Sequence, residues 1–162
     1  MKVTKSSRHS KITGDFAESF ILYWLSKYGF ECAKVDHTGI DIIARKPKSN
    51  TVMGISVKSR SRNEGKVNDS LLIKNDNFEK AQRACDAFNC KPYFAIVVDQ
   101  IEKIRAFILP MDEMIKLYPK GRRSYQWRMA PKYMETYKQN PEIVYIEFDY
   151  ATHSWFAKDK AK

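Results

Sequence analysis

Residues 39–58 read GIDIIARKPKSNTVMGISVK, two β-rich runs (Ile40 to Arg45 and Thr51 to Lys58) joined by the turn-forming stretch Lys46, Pro47, Lys48, Ser49, Asn50. A loop centred on Ser49 and Asn50 makes cross-strand partners sum to 99, which sets Asp41 opposite Lys58 and Ile43 opposite Ser56. Alternation then gathers Asp41, Ile43, Ser56 and Lys58 on one face and Ile40, Ile42, Ile55 and Val57 on the other, the core face. A carboxylate and an ammonium stand side by side near the open end of the hairpin. The inference is conditional on register, because a loop one residue longer or shorter breaks it.

Upstream, Ala17, Phe20, Ile21, Trp24, Leu25 and Tyr28 recur at three- and four-residue spacing and predict a helix from Gly14 to Tyr28, ended by Gly29. Phe30 to Val35 predicts a first strand. Downstream, Ser59 to Asp69 is polar and reads as a loop. Asp76 to Phe88 carries the amphipathic stripe Phe78, Ala81, Ala84, Cys85 and Phe88. The apolar Tyr93 to Val98 that follows has the character of a buried strand reached by a crossover, hence parallel to an earlier one. The order αβββαβ specifies an α/β fold with a central mixed sheet flanked by helices. A C-terminal α/β extension is expected from a strand at Ile104 to Leu109, a short helix at Met111 to Leu117 and a strand at Ile143 to Phe148. Residues 14–150 are read as one domain with a core over 14–99 and an extension over 100–150. A flexible basic leader (1–13) and a tail (151–162, with His153) flank it.

The 162-residue chain has a formal charge of +10 that is unevenly spread. Residues 1–13 carry +4, residues 45–66 carry +6 and residues 120–138 carry +5, so the remainder is net negative. Such polarity suits a polyanion bound through counterion release, or a solvated basic surface. Lys11, Arg60, Arg62, Lys66, Arg122, Arg123 and Arg128 are the candidate phosphate contacts. Tyr125, Trp127, Tyr133 and Tyr137 interleave with basic groups, a pattern that fits base stacking or the packing of a C-terminal helix onto the sheet. Three cysteines without a C-x-x-C pair support neither a disulfide framework nor a zinc knuckle. No stretch approaches a membrane span and no apolar signal core follows the basic start, so a cytoplasmic protein without a membrane partner is expected.

Gly14, Asp15, Phe16, Ala17 and Glu18 on the helix, Gly39, Ile40 and Asp41 opening a strand, and Ile55, Ser56, Val57 and Lys58 on the next together resemble the PD-(D/E)xK nuclease superfamily. The likeness is to restriction endonucleases and, more specifically, to archaeal-type Holliday-junction resolvases. That resemblance implies a restriction-endonuclease-like three-layer core and hydrolysis of DNA, with RNA open as the other polyanion. It also implies a homodimer, because cutting two strands with one site each calls for two subunits. Asp41, Glu18 and the Val57 backbone carbonyl would hold Mg²⁺ or Mn²⁺, and Lys58 would orient the attacking water. His37 and Gln82 are possible accessories. Ser56 stands where the family usually has Glu, Asp or Gln. Two outcomes follow: an active site in which Asp36 or Glu18 compensates, or a catalytically inactive nuclease-fold protein that only binds nucleic acid. Two plainer readings stand beside these. Asp15 and Glu18 fit a helix capping box, and Asp41 with Lys58 fits an ordinary cross-strand ion pair.

Overall fold

The computed structural model describes residues 4–63, 65–66 and 68–151. The expected tail (His153 included) lies outside the described residues from 152 onward, as do Lys2 in the leader and Glu64. Helix α1 (His9–Lys27) is followed by strands β1 (Glu31–His37), β2 (Ile40–Arg45), β3 (Val52–Arg62) and β4 (Leu71–Lys74). Helix α2 (Asn75–Ala87) leads to β5 (Lys91–Gln100) and β6 (Lys103–Pro110). Then come α3 (Met111–Leu117), β7 (Ser124–Trp127), α4 (Pro131–Gln139) and β8 (Val144–Asp149).

Six strands form one mixed sheet in the order β1-β2-β3-β5-β6-β8, and β4 pairs with β7 in a small second sheet. Strands β3 and β5 run parallel, from Met53 opposite Lys91 to Arg62 opposite Gln100; the other pairs are antiparallel. Parallel neighbours need a long crossover, and β4 with α2 supplies it. Both faces of the central strands are covered. Ala95, Val97, Ala106 and Ile108 meet Ala17, Ile21 and Leu25 of α1, and these smaller side chains give the helix room to lie close. On the opposite face the larger Phe94, Ile96, Val98, Phe107 and Leu109 pack against Phe78 and Ala81 of α2 and against Trp127 and Tyr137 of the extension. The sequence-predicted mixed sheet between helices is the observed architecture.

Several local expectations change. Helix α1 begins at His9, five residues before Gly14, with the His9 N–H donating to Ser6 O (3.0 Å) and Arg8 as its N-cap without a side-chain cap bond. The first turns bury no apolar face, Ile12 being 53% exposed, so no periodicity announces them. Asp15 and Glu18 therefore lie inside the helix, and the capping box does not form. Within the leader Lys5 is tied down: its Nζ donates to Ser61 O (2.8 Å) and Ser61 Oγ (2.9 Å). Strand β3 runs on through Arg62, placing Arg60 and Arg62 on a strand rather than in a loop. Phe88 is exposed at the end of α2, outside the buried stripe. Most of the C-terminal aromatics are core: Trp127 stacks on Tyr137, and Tyr125 stacks on Phe78.

The β2–β3 register sums to 97, with Ile42 opposite Ile55, Ile43 opposite Gly54 and Ala44 opposite Met53. The loop is centred one position earlier than the sequence suggests, with Lys48 at φ 54° and Lys46 N–H bonded to Thr51 O. Each partner moves by two residues. A shift of two preserves strand parity, so Asp41, Ser56 and Lys58 keep a common parity, although the paired register ends at Ile42 and Ile55 and includes none of the three.

Gly39, in the β1–β2 turn, has φ +113°, and a Cβ there would lie 2.3 Å from the backbone oxygen of Lys80 in α2. The turn and the helix thus touch backbone to backbone, which fixes the strand that carries Asp41. Gly39→Ala is expected to lower stability by about 3 kcal/mol or more, since it combines a left-handed conformation costing about 1–2 kcal/mol with a clash against rigid backbone. A urea midpoint unchanged from wild type would refute this account of the turn.

Candidate active site

The β2–β3 ladder closes from Arg45 opposite Val52 as far as Ile42 opposite Ile55 and then opens. Beyond that point the Asp41 side chain replaces the backbone: its Oδ2 accepts the Val57 N–H at 2.6 Å. The splay also rotates the strand, so Ile40 packs with Ala84 and Cys85 under α2 while Ile42, Ile55 and Val57 stay under α1. Ile40 therefore leaves the single core face expected for the hairpin. Within a strand the N–H and C=O of one residue point to the same edge, so the Val57 carbonyl is directed toward β2 like its amide.

Asp41 is half-buried, and its carboxyl is pushed above the usual range by desolvation, against the pull of the Val57 N–H and the Lys58 ammonium. Lys58, on β3 beside it, is shifted down, again by desolvation first, with Asp41 and Asp76 acting in the opposite direction. For both groups the loss of water outweighs what the neighbours return, so this is not the solvated cross-strand pair of the plainer reading. Glu18 looks in from α1 and holds Lys34 of β1 at 2.9 Å. Ser56 is 1% exposed on the same strand face as Lys58.

A divalent ion fits this donor set. Among the described residues no three His, Cys, Asp or Glu side chains cluster tightly enough to hold an ion by themselves. One or two carboxylates, a backbone carbonyl and water are what Mg²⁺ accepts, and Asp41 is an acid whose charge is incompletely balanced.

A consequence for stability can be worked out from the raised Asp41 carboxyl. A group favoured in its protonated form by the fold stabilises it below the unfolded pKa, and that contribution disappears as pH rises through the folded one. Asp41→Asn keeps an acceptor for the Val57 N–H and removes the charge. It is expected to raise stability near neutral pH, within the roughly 0.5–2 kcal/mol range of single stabilising substitutions. The gain should shrink toward zero as pH falls below the ordinary aspartate range. A gain that persisted undiminished in acid would sink the assignment.

The remaining sequence candidates divide. Lys11, Arg60, Lys66, Arg122 and Arg123 are exposed. Residues 121–123 are held at the start of α2 by Asn75, whose N–H donates to Arg123 O (3.1 Å) and whose Nδ2 donates to Gly121 O (3.1 Å). That is the same end of α2 as Asp76 and Lys80, the groups that act on Lys58. Arg62 is turned inward, donating to Asp69 O (3.1 Å) and Ser70 O (2.9 Å), so it braces a loop. Arg128 lies over the rings of Tyr118 (5.5 Å) and Tyr133 (5.2 Å). His37 is exposed and meets Phe88 edge-on (5.1 Å). Gln82 donates to Asp86 (2.7 Å), so it does not reach the site as an accessory. A surface cavity of about 700 Å³ beside Gln82, Pro92, Met111 and Lys116 lies at the far end of β5, away from Asp41. Sequence reasoning missed Lys34. Its signal was the strand pairing of β1, which sets Lys34 opposite Ile42, one residue from Asp41.

No family model matches the chain, and no curated protein matches it by sequence. Solved structures do resemble it. One is Hjc of Archaeoglobus fulgidus, a Holliday junction resolvase from an archaeal hyperthermophile; the match has a TM-score of 0.53 at 20% identity and covers 71% of this chain and 83% of that one. The fold is restriction-endonuclease-like. A bacterial homing endonuclease also aligns, at a TM-score of 0.49 and 15% identity, over 75% of this chain and 80% of that one. In this fold the splayed mouth of β2 and β3 brings together Asp41 and Lys58, with Ser56 on the same strand face as Lys58 and Glu18 facing them from α1. Among the described residues no helix is long and apolar enough to cross a membrane.

Proposed function

We propose that the protein is a divalent-metal-dependent endonuclease that hydrolyses DNA phosphodiester bonds, with branched DNA or a repair or defence substrate as its target. The observation that carries the reading is the opened β2–β3 mouth, where a desolvated carboxylate anchored to Val57 N–H faces a desolvated lysine. Asp41 and the Val57 carbonyl would hold Mg²⁺ or Mn²⁺, with Glu18 closing the set directly or through water. When bound, the ion supplies Lewis-acid polarisation of the phosphate and a more acidic water. Lys58 orients that water and offsets charge growing on the phosphate oxygens, which a preorganised cation does best where water is excluded. Exposed Arg60, two residues beyond Lys58 on β3, and exposed Arg122 and Arg123, held at the start of α2, suit a duplex lying near the mouth. Beside Arg60, a cleft of about 290 Å³ lined by Lys5, Ser7, His9 and Ser59 adds room for backbone phosphate. Cutting both strands with one site per chain calls for a homodimer. Cytoplasmic placement agrees with three free thiols.

Ser56 favours one alternative, a nuclease-fold protein that binds DNA or RNA without cutting it. Its side chain is buried where a ligating acid would stand, and a hydroxyl adds no charge for a metal. Incubation with supercoiled, linear and four-way-junction DNA in Mg²⁺ or Mn²⁺ separates the readings. Nicking or resolution of at least one substrate is expected. Tight, salt-sensitive binding with no product under either metal would replace the first reading by the second, and a strong preference for RNA would move the substrate class.

A further inference from the structure

Two lysines meet the acids of the mouth, and they are held very differently. Lys58 is half-buried, set on the central strand β3 and hemmed by Asp76 and Lys80 of α2. Lys34 sits on the edge strand β1, its side chain 44% exposed, and reaches Glu18 Oε2 at 2.9 Å. Asp15 and Asp41 also act on its ammonium. Lys34 therefore lies in the field of three carboxylates and closes on the one that would complete a metal-binding set.

We propose that Lys34 is a built-in counter-ion for Glu18, which a divalent ion must displace before Glu18 can join Asp41 in holding it. The inference rests on the metal-dependent reading above. Asp15, Glu18 and Asp41 set against Lys34 and Lys58 leave a net charge of −1. A divalent ion entering beside Lys34 would turn that into a net positive charge in one small space, and the departure of Lys34 would bring it back to zero. Of the two lysines, only Lys34 has solvent to retreat into. Its flexible four-carbon stem and strongly hydrated head make that retreat easy, and an exposed lysine–carboxylate pair is weak enough to exchange. The apo protein thus keeps Glu18 paired, at the expense of affinity for the ion.

The test is Mn²⁺ binding by the full chain without DNA, read as free Mn²⁺ by electron paramagnetic resonance and as heat by calorimetry. Lys34→Met and Lys34→Gln should each bind Mn²⁺ about three- to tenfold more tightly than wild type. Lys34→Arg, which keeps the charge, should stay at the wild-type value. In a Glu18→Gln background the gain should vanish, because no carboxylate remains for Lys34 to occupy. A packing role for Lys34 would not give this charge-dependent pattern. Wild type and both neutral variants binding Mn²⁺ equally, or the variants binding more weakly, would overturn the counter-ion role and leave the nuclease reading intact. No Mn²⁺ bound by any of the proteins would overturn both.

Discussion

Asp41→Ala is expected to abolish DNA cleavage, lowering the rate by about a thousandfold or more. A Lewis-acid ion contributes several kcal/mol to such a reaction, and each ~1.4 kcal/mol is tenfold in rate. Asp41 holds three functions at once: it is the desolvated acid of the mouth, it fixes the Val57 amide, and through that bond it aims the Val57 carbonyl. Alanine removes all three, whereas asparagine keeps the amide bond and loses only the charge. Both should be inactive, because the charge is what holds the ion; activity kept by Asp41→Asn and lost in Asp41→Ala would instead assign the role to positioning of Val57. Folding does not confound the outcome, because Asp41→Asn is expected to be more stable than wild type. Lys58→Met should lose about 10²- to 10³-fold, the range for one preorganised group that stabilises developing charge. The double variant should be little worse than Asp41→Ala, since groups that act as a unit are not additive. Wild-type product yields from Asp41→Ala and Lys58→Met, in a protein that cleaves, would remove the site from this mouth.

The residues whose burial is periodic were legible before the structure. Ile40 to Arg45 and Met111 to Leu117 match their elements at both ends, and the parallel, doubly buried strand after α2 follows from its unbroken apolar run. The common parity of Asp41, Ser56 and Lys58 survived a register error because a shift of two preserves it. What sequence did not show depends on partners distant in the chain. β4 and β7 are four residues each, and each becomes a strand only by pairing with the other, Leu71 with Trp127 through Lys74 with Ser124. The opening of the ladder at Asp41 is likewise invisible locally, since it reflects a side chain taking a backbone amide 16 positions away. Lys34 and Glu18 meet only because α1 crosses the sheet over β1. Arg62 and Arg128 had the composition of DNA contacts, yet one braces a loop and the other lies on aromatic rings. Charge alone does not tell a free cation from an engaged one.

That distinction predicts how binding responds to salt. Lys11, Arg60, Lys66, Arg122 and Arg123 are exposed, whereas Lys5 is engaged by Ser61. If about five such groups meet phosphates, affinity for duplex DNA should fall roughly 500-fold between about 50 and 200 mM salt, because each contact contributes about 0.9 to the log–log slope. The measurement belongs in Asp41→Asn, which cannot consume its substrate. Arg122→Ala with Arg123→Ala should weaken binding at low salt and flatten the slope by about 1.8. Arg128→Ala should leave the slope unchanged and show itself instead as a modest loss of stability, because its guanidinium is spent on Tyr118 and Tyr133. A slope near zero would mean that the basic segments are only a solvated surface. An Arg128→Ala effect as large as that of the Arg122 and Arg123 pair would place the duplex across the C-terminal extension, with its path turned away from the mouth that holds Asp41.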